Sequence, residues 1–279
     1  MSRIKHAFVS RFGPQGRLLE LDFSQLEIYV LAFLSNDPVL KDDLVSGKDL
    51  HDISATMLFG SKFNKAQRKI AKQLSFQLQY GAGARSMAET NNIDIQAAKD
   101  FIDAYYDRYK GVKLYHKGLL EEVVLCREAS DLRTKKGQPA GVSKVRSLTG
   151  RTYTFVEDDS PDWMSKSTGF SPTKTKNYPV QGFATGDIVP MVLGKIYRTL
   201  RSKPGYKENV LMINTIHDSL MFDVRSEYTA EWWAKECKRI MEDAPAQLKA
   251  TFGIDFDLPL KAGIDIGYSW GDMVEYNCA

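Results

Sequence analysis

Residues 17–24 (RLLELDFS) alternate apolar and polar positions and predict a strand that runs into an acidic end. The strand feeds directly into an apolar helical run, Gln25 to Leu34, which stops near Asn36-Asp37-Pro38. Helical periodicity follows at about 50–59, 64–80, 84–91, 95–110 and 112–128, so a helical lobe is inserted after the first strand. The chain is polar and Gly/Pro-containing over about 131–143 and regains strand character from Val145 to Phe155, around Thr149-Gly150. From Glu157 to Thr175 it is irregular again. A helix is expected from about Tyr178 to Leu200. Two β-rich runs, 208–216 and 219–225, flank His217-Asp218 and predict a hairpin with that pair at its turn. A helix over about 227–248 and a strand near 259–266 complete the pattern. Runs of helices around an antiparallel sheet make the expected fold class α+β.

With 279 residues, 43% of them hydrophobic, the chain can bury a core for one large domain or two closely packed lobes. Its formal charge is only +3, from 38 basic and 35 acidic residues, so the distribution of charge says more than the total. Lys62, Lys65, Arg68, Lys69 and Lys72 form the clearest basic cluster, and a second scatter runs through Arg133, Lys135, Lys136, Lys144, Arg146 and Arg151. Cys126, Cys237 and Cys278 lack metal-ligand spacing, which argues against a zinc site or a disulfide framework. With no signal peptide and no bilayer-spanning run, these features predict a soluble protein in a reducing, cytoplasmic setting. Asp37, Asp42, Asp43 and Asp49 are expected at the surface, and Trp163, Trp232, Trp233 and Trp270 are expected to pack rather than stack on bases.

Three segments carry chemistry. Asp22 ends the first strand and Asp218 sits at the hairpin turn, so a sheet can bring the two carboxylates together. Magnesium is held by oxygen ligands, often one or two carboxylates plus substrate phosphates. A pair of such ions stabilises both the attacking and leaving oxygens of an in-line phosphoryl displacement. Either aspartate alone would read as a turn or cap residue. The third segment is the helical run holding Arg68, Lys72, Phe76 and Tyr80. Each step of four residues advances about 6 Å and rotates about 40°, which draws a slowly turning stripe, cationic then aromatic. A nucleoside triphosphate laid along it would meet charge with its phosphates and rings with its sugar and base. These are the parts of a metal-dependent nucleotidyl transferase.

In this order the segments resemble the polymerase core of family A DNA polymerases, the DNA polymerase I-like group that includes many bacteriophage replicases. Asp22-Phe23-Ser24-Gln25-Leu26-Glu27-Ile28-Tyr29 is similar to motif A, D-Y-S-Q-I-E-L-R. Arg68, Lys72, Phe76, Tyr80 and Gly81 are similar to motif B, R-x3-K-x3-F/Y-x3-Y-G, and His217-Asp218-Ser219 to motif C, H-D-E. Gly47-Lys48-Asp49-Leu50-His51 and Asn177-Tyr178-Pro179-Val180-Gln181-Gly182 also match recurring segments of the family. The resemblance implies a palm over residues 1–36 and 129–279, with fingers inserted over 37–128. It implies that Asp22, Asp218 and the Phe23 carbonyl hold two Mg2+ ions, with Lys72 as proton donor to the departing pyrophosphate. Gln25, Glu27, His51, Arg68, Lys72, Phe76 and Tyr80 would bind the dNTP, Glu27 excluding a ribose 2′-hydroxyl. Asn177, Gln181 and His217 would contact the primer-template DNA.

Ser219 replaces the motif C glutamate, Tyr29 replaces the motif A arginine, and only 21 residues precede Asp22. The family's thumb and exonuclease-like domain lie before motif A, so the expectation is a split polymerase with those parts on a separate chain. The alternatives are a single-subunit phage-type RNA polymerase fragment, which shares the H-D-S of motif C, and a non-catalytic polymerase-derived subunit. Glu27 opposes the former. The joint presence of Asp22, Asp218, Arg68 and Lys72 opposes the latter.

Overall fold

The computed structural model describes residues 3–161 and 165–276. Trp163 and Cys278, part of the expectations above, lie outside the described residues. The chain forms two compact units, Met1–Ile28 with Phe183–Ala279, and Tyr29–Gly182. Residues 129–182, expected with the palm, group with the helices of the second unit. Among the described residues no helix is long and apolar enough to cross a membrane.

Strand β1 (Arg17–Phe23) and helix α1 (Leu26–Ser35) fall where the alternation and the apolar run place them. Helix α1 is apolar nearly all round and correspondingly buried at Leu26, Val30, Leu31 and Ala32. The next helix, α2 (Pro38–Val45), is absent from the sequence reading. It is short and carries Lys41, Asp42 and Asp43 mid-run, and its stability comes from contacts far along the chain.

Asp37 and Asp43, expected at the surface, are enclosed at 1% and 0% exposure. Asp37 caps α2 by accepting from Leu40 N at 2.8 Å and also accepts from Gly111 N at 2.6 Å. Asp43 accepts from both Arg108 Nε, at 3.1 Å, and the Tyr109 hydroxyl, at 3.0 Å. Local sequence shows two acidic residues near a proline; besides the nearby Leu40 N and Lys48, the partners that enclose them lie more than sixty positions away. Asp42 and Asp49 are exposed as expected.

The helical lobe continues with α3 (Leu50–Phe59), α4 (Lys65–Gln79), α5 (Ala84–Asn91), α6 (Ile95–Arg108) and α7 (Lys110–Leu125). A reciprocal capping box starts α4: Asn64 Oδ1 accepts from Gln67 N at 3.0 Å and Gln67 Oε1 from Asn64 N at 2.9 Å. Its end is fixed by Gly81, at φ +79°, where a Cβ would stand 2.9 Å from the Pro172 carbonyl oxygen and Thr173 Cα. A side chain there is excluded by both backbone conformation and space. Beyond the helices come β2 (Arg127–Glu128), β3 (Val142–Arg146), β4 (Thr152–Val156), β5 (Asp158–Asp159) and β6 (Thr168–Gly169). The run with expected strand character from Val145 to Phe155, around Thr149-Gly150, belongs to a hairpin of β3 and β4. Val145, Tyr153 and Phe155 face inward onto Val123, while Lys144 and Arg146 point to solvent.

Helix α8 (Pro172–Phe183) passes through Pro179, and a π-helical turn over Ala184–Ile188 leads into α9 (Val189–Ser202). The single helix expected from Tyr178 therefore begins six residues earlier and changes register before Pro190. Proline there donates no hydrogen bond and crowds the preceding turn, which the wider π turn relieves.

The other unit adds β7 (Val210–Ile216), β8 (Ser219–Val224), α10 (Glu227–Glu242), α11 (Ala244–Phe252), β9 (Ala262–Gly267) and β10 (Val274–Glu275). The helix expected over 227–248 breaks at Asp243, because Pro245 suits the first turn of a new helix and not the interior of an old one. With β1 these strands make an antiparallel sheet in the order β10-β9-β1-β8-β7. Leu19, Leu21 and Phe23 of β1 are buried, and α10 packs on β1 and β9 through a stripe that includes Trp233, Cys237 and Ile240. Burying each large apolar side chain of that stripe contributes about 1.5–3 kcal/mol. The antiparallel α+β architecture is the expected one.

Candidate active site

The tip of the β7–β8 hairpin is two residues long, since Ile216 pairs with Ser219. His217 takes the left-handed conformation at φ 55°, which tight hairpin turns require of their central residues. On the other side of β8, Ser219 pairs with Asp22, so the turn residue Asp218 is carried to the end of β1. Phe23 N donates to the Asp218 carbonyl at 3.5 Å, and the carboxyl groups of Asp22 and Asp218 lie close enough for each to act on the other's charge.

Desolvation, Asp218, Glu20 and Asp265 all push the Asp22 carboxyl up from 3.8 to about 6. Asp218 is also raised, by desolvation, against the opposing pull of backbone hydrogen bonding, the nearby His217 and Asp22. Two neighbouring carboxylates do not both ionise readily in the absence of positive charge. Among the described residues no group of three or more His, Cys, Asp or Glu side chains is arranged to hold a metal. The pair itself nevertheless fits magnesium, which takes few protein carboxylates and draws its other ligands from water and phosphate.

Two neighbouring acids escaped the sequence reading. Glu20 lies two residues before Asp22 on the same face of β1, and Asp265 pairs directly with Glu20 from β9. Period-two spacing from Asp22 was the signal for Glu20; nothing local marks Asp265.

In the other unit, α4 buries Ala71, Leu74, Ser75 and Leu78 and turns the expected stripe outward. Phe76 is 38% exposed, a large ring facing solvent on a helix, and Lys72 Nζ lies 5.7 Å from its centre. His51, on the first turn of α3, sits 5.8 Å from the same ring. Burial first, then Lys72, hold its imidazole below the ordinary range, so it is neutral at pH 7. Arg68 forms ion pairs with Asp49 and Asp52, partners that the sequence reading missed. Tyr80 is the C-terminal cap of α4. On α8, Asn177 Nδ2 donates to Gln181 Oε1 at 3.3 Å, four residues on, so those two predicted residues share one helix face. Gln25 occupies the turn between β1 and α1 at φ 57°, and Glu27 stands in the first turn of α1. Tyr29, at the position of the motif A arginine, is buried.

The comparisons with known proteins bear on the family and the fold. The family model described as DNA polymerase family A matches residues 1–272. The chain belongs to that family. It is similar to DNA polymerase I of Helicobacter pylori, 28% identical, with 92% of this chain and 25% of that protein aligned. It is also similar to the DNA polymerase of Bacillus phage SP01, 30% identical over 98% of this chain and 28% of that protein. The chain thus spans about a quarter of the length of these family A relatives. Among solved structures, the POL domain of Pol1 from M. smegmatis, in complex with DNA primer-template and dNTP, matches 96% of this chain and 42% of that one. The TM-score is 0.70 at 23% identity, a likeness of fold.

Proposed function

We propose that this chain is the catalytic segment of a template-directed DNA polymerase, which adds dNTPs to a primer 3′ end. The observation that carries the reading is the Asp22–Asp218 carboxylate pair, which the Ser219–Asp22 register brings to adjoining strand ends of the sheet. In this reading Asp22 and Asp218, with the Phe23 carbonyl, hold two Mg2+ ions. Those ions, when bound, supply positive charge to the attacking 3′ oxygen, the α-phosphate and the leaving pyrophosphate.

The chain's own residues do the rest. Arg68 and Lys72 bind the triphosphate; the 3′-hydroxyl loses its proton to solvent as its oxygen bonds to the α-phosphorus, and Lys72 gives a proton to the pyrophosphate as its bond breaks. Arg68 must loosen its hold on Asp49 and Asp52 to do so. Phe76 and His51 line the sugar, Tyr80 and Gln25 border the nucleotide, and Glu27 excludes the 2′-hydroxyl. Asn177, Gln181 and His217 contact the primer-template. Duplex affinity comes mainly from phosphate contacts, most of which a thumb would supply.

The test is extension of a labelled primer with Mg2+ and dNTPs or rNTPs, for the chain alone and with a chain carrying a thumb. Asp218→Ala serves as control. Extension with dNTPs that Asp218→Ala reduces at least about a thousand-fold is expected. Equal rates in the two proteins would remove the two-metal assignment, and a preference for rNTPs would replace the DNA reading with an RNA one.

A further inference from the structure

Motif C of the resembled pattern places a glutamate where this chain has Ser219, which leaves the Asp22–Asp218 pair one charge short. The sheet supplies another acid on the same face. Glu20 and Asp22 are two residues apart on β1, and Ser219 pairs with Asp22 across the ladder. The Ser219 hydroxyl donates to Glu20 Oε1 at 2.9 Å, and the Trp270 indole N–H lies 3.3 Å from Oε2. Both oxygens of Glu20 are therefore held, one of them by the residue next to Asp218. Gly263, opposite Asp22 on β9, has nothing within 4 Å of where a Cβ would be, so this part of the face is open.

The arrangement is unfavourable unless a cation comes to it. Glu20 stands directly opposite Asp265, and like charges paired across a ladder are destabilising. The charge of Glu20 is also felt at Asp22. A serine that holds a carboxylate beside two others makes that repulsion a built feature of the face.

We propose that Glu20 is a positioning residue of the carboxylate centre, supplying from β1 the charge that Ser219 does not, with the Ser219 hydroxyl fixing its orientation. Because no three carboxylates are grouped to ligate directly among the described residues, Glu20 acts at one remove, through charge and through Ser219. The inference rests on the proposed function, since it assigns a role toward the divalent ions of that reaction.

The test compares Glu20→Gln, which keeps shape and loses charge, with Glu20→Asp, which keeps charge, and with Glu20→Gln combined with Ser219→Glu. Two quantities are read: the Mg2+ concentration giving half-maximal primer extension, and Mn2+ binding by the full chain without DNA or nucleotide, followed by electron paramagnetic resonance. Glu20→Gln should raise the Mg2+ requirement and weaken Mn2+ binding about ten-fold, the scale at which partners just outside a metal's ligands act. At saturating Mg2+ its rate should stay within about two-fold of the wild type, because the Asp pair is intact. Glu20→Asp should shift both much less, and the Ser219→Glu combination should bring both back toward wild type.

Unchanged Mg2+ requirement and Mn2+ binding in Glu20→Gln would overturn the inference. So would equal shifts in Glu20→Asp and Glu20→Gln, which would mark a packing role. If Asp218→Ala loses extension and Mn2+ binding while Glu20→Gln keeps both, only the inference falls. If the wild type neither extends a primer nor binds millimolar Mn2+, the proposed function falls with it.

Discussion

Asp22→Asn should make the protein more stable at pH 8 and leave its stability unchanged at pH 4. The native carboxyl titrates near 6 against 3.8 when unperturbed, so the folded state holds this proton more tightly than the unfolded state does. Stability is then lost as pH rises from about 4 through 6, because the unfolded chain ionises first. The full difference corresponds to about 3 kcal/mol. Asp22 is exposed at the strand end, and solvent screening reduces the effect to about 1 kcal/mol. Asparagine removes the charge. The assay is urea unfolding at both pH values, followed by tryptophan fluorescence, since Trp232, Trp233 and Trp270 all belong to the unit that carries the sheet. With a slope of about 2.5 kcal/mol/M, the midpoint at pH 8 should rise by about 0.4 M. Magnesium should narrow that margin by stabilising the wild type alone. A variant less stable than wild type at pH 8, or a margin equal at both pH values, would refute the account by burial and carboxylate repulsion.

Other outcomes follow from particular residues. Asp43→Ala should destabilise the helical unit by about 1–3 kcal/mol, measured by chemical unfolding, because it leaves the buried Tyr109 hydroxyl without its acceptor and Arg108 without its partner. Burial alone would raise the Asp43 carboxyl, but hydrogen bonds from Lys48, Arg108 and Tyr109 hold it below the usual range. Its contribution is therefore present at neutral pH and lost as pH falls below about 4. Under the proposed function, Glu27→Ala should raise rNTP incorporation at least about ten-fold relative to dNTP in single-nucleotide extension, since it removes the group that meets a 2′-hydroxyl. Phe76→Tyr, at a ring 38% exposed on α4, should ease dideoxynucleotide termination; an unchanged termination pattern would take Phe76 out of the sugar site.

The local patterns legible in the sequence are those set by neighbours a few residues apart. Alternation through Leu19, Leu21 and Phe23 sufficed for β1, and four-residue spacing sufficed for the outward stripe of α4, because burial of Ala71, Leu74 and Leu78 leaves Arg68, Lys72 and Phe76 no inward position. Two apolar runs around His217-Asp218 sufficed for the hairpin. Two prolines, Pro190 and Pro245, already marked helix breaks that apolar periodicity alone ran across.

Tertiary structure decided what depends on distant partners. It enclosed Asp37 and Asp43, whose partners on α6 and α7 satisfy charges that would otherwise need water. It set β8 beside β1 in the one register that pairs Ser219 with Asp22, which turned two ordinary-looking aspartates into a mutually repelling carboxylate pair. It also brought Asp265 opposite Glu20 across strands more than two hundred residues apart in sequence. Residue type and spacing determine which groups can do chemistry. Only the ladder register determines which of them meet, because a hydrogen bond or a Coulomb interaction depends on separation in space and not along the chain.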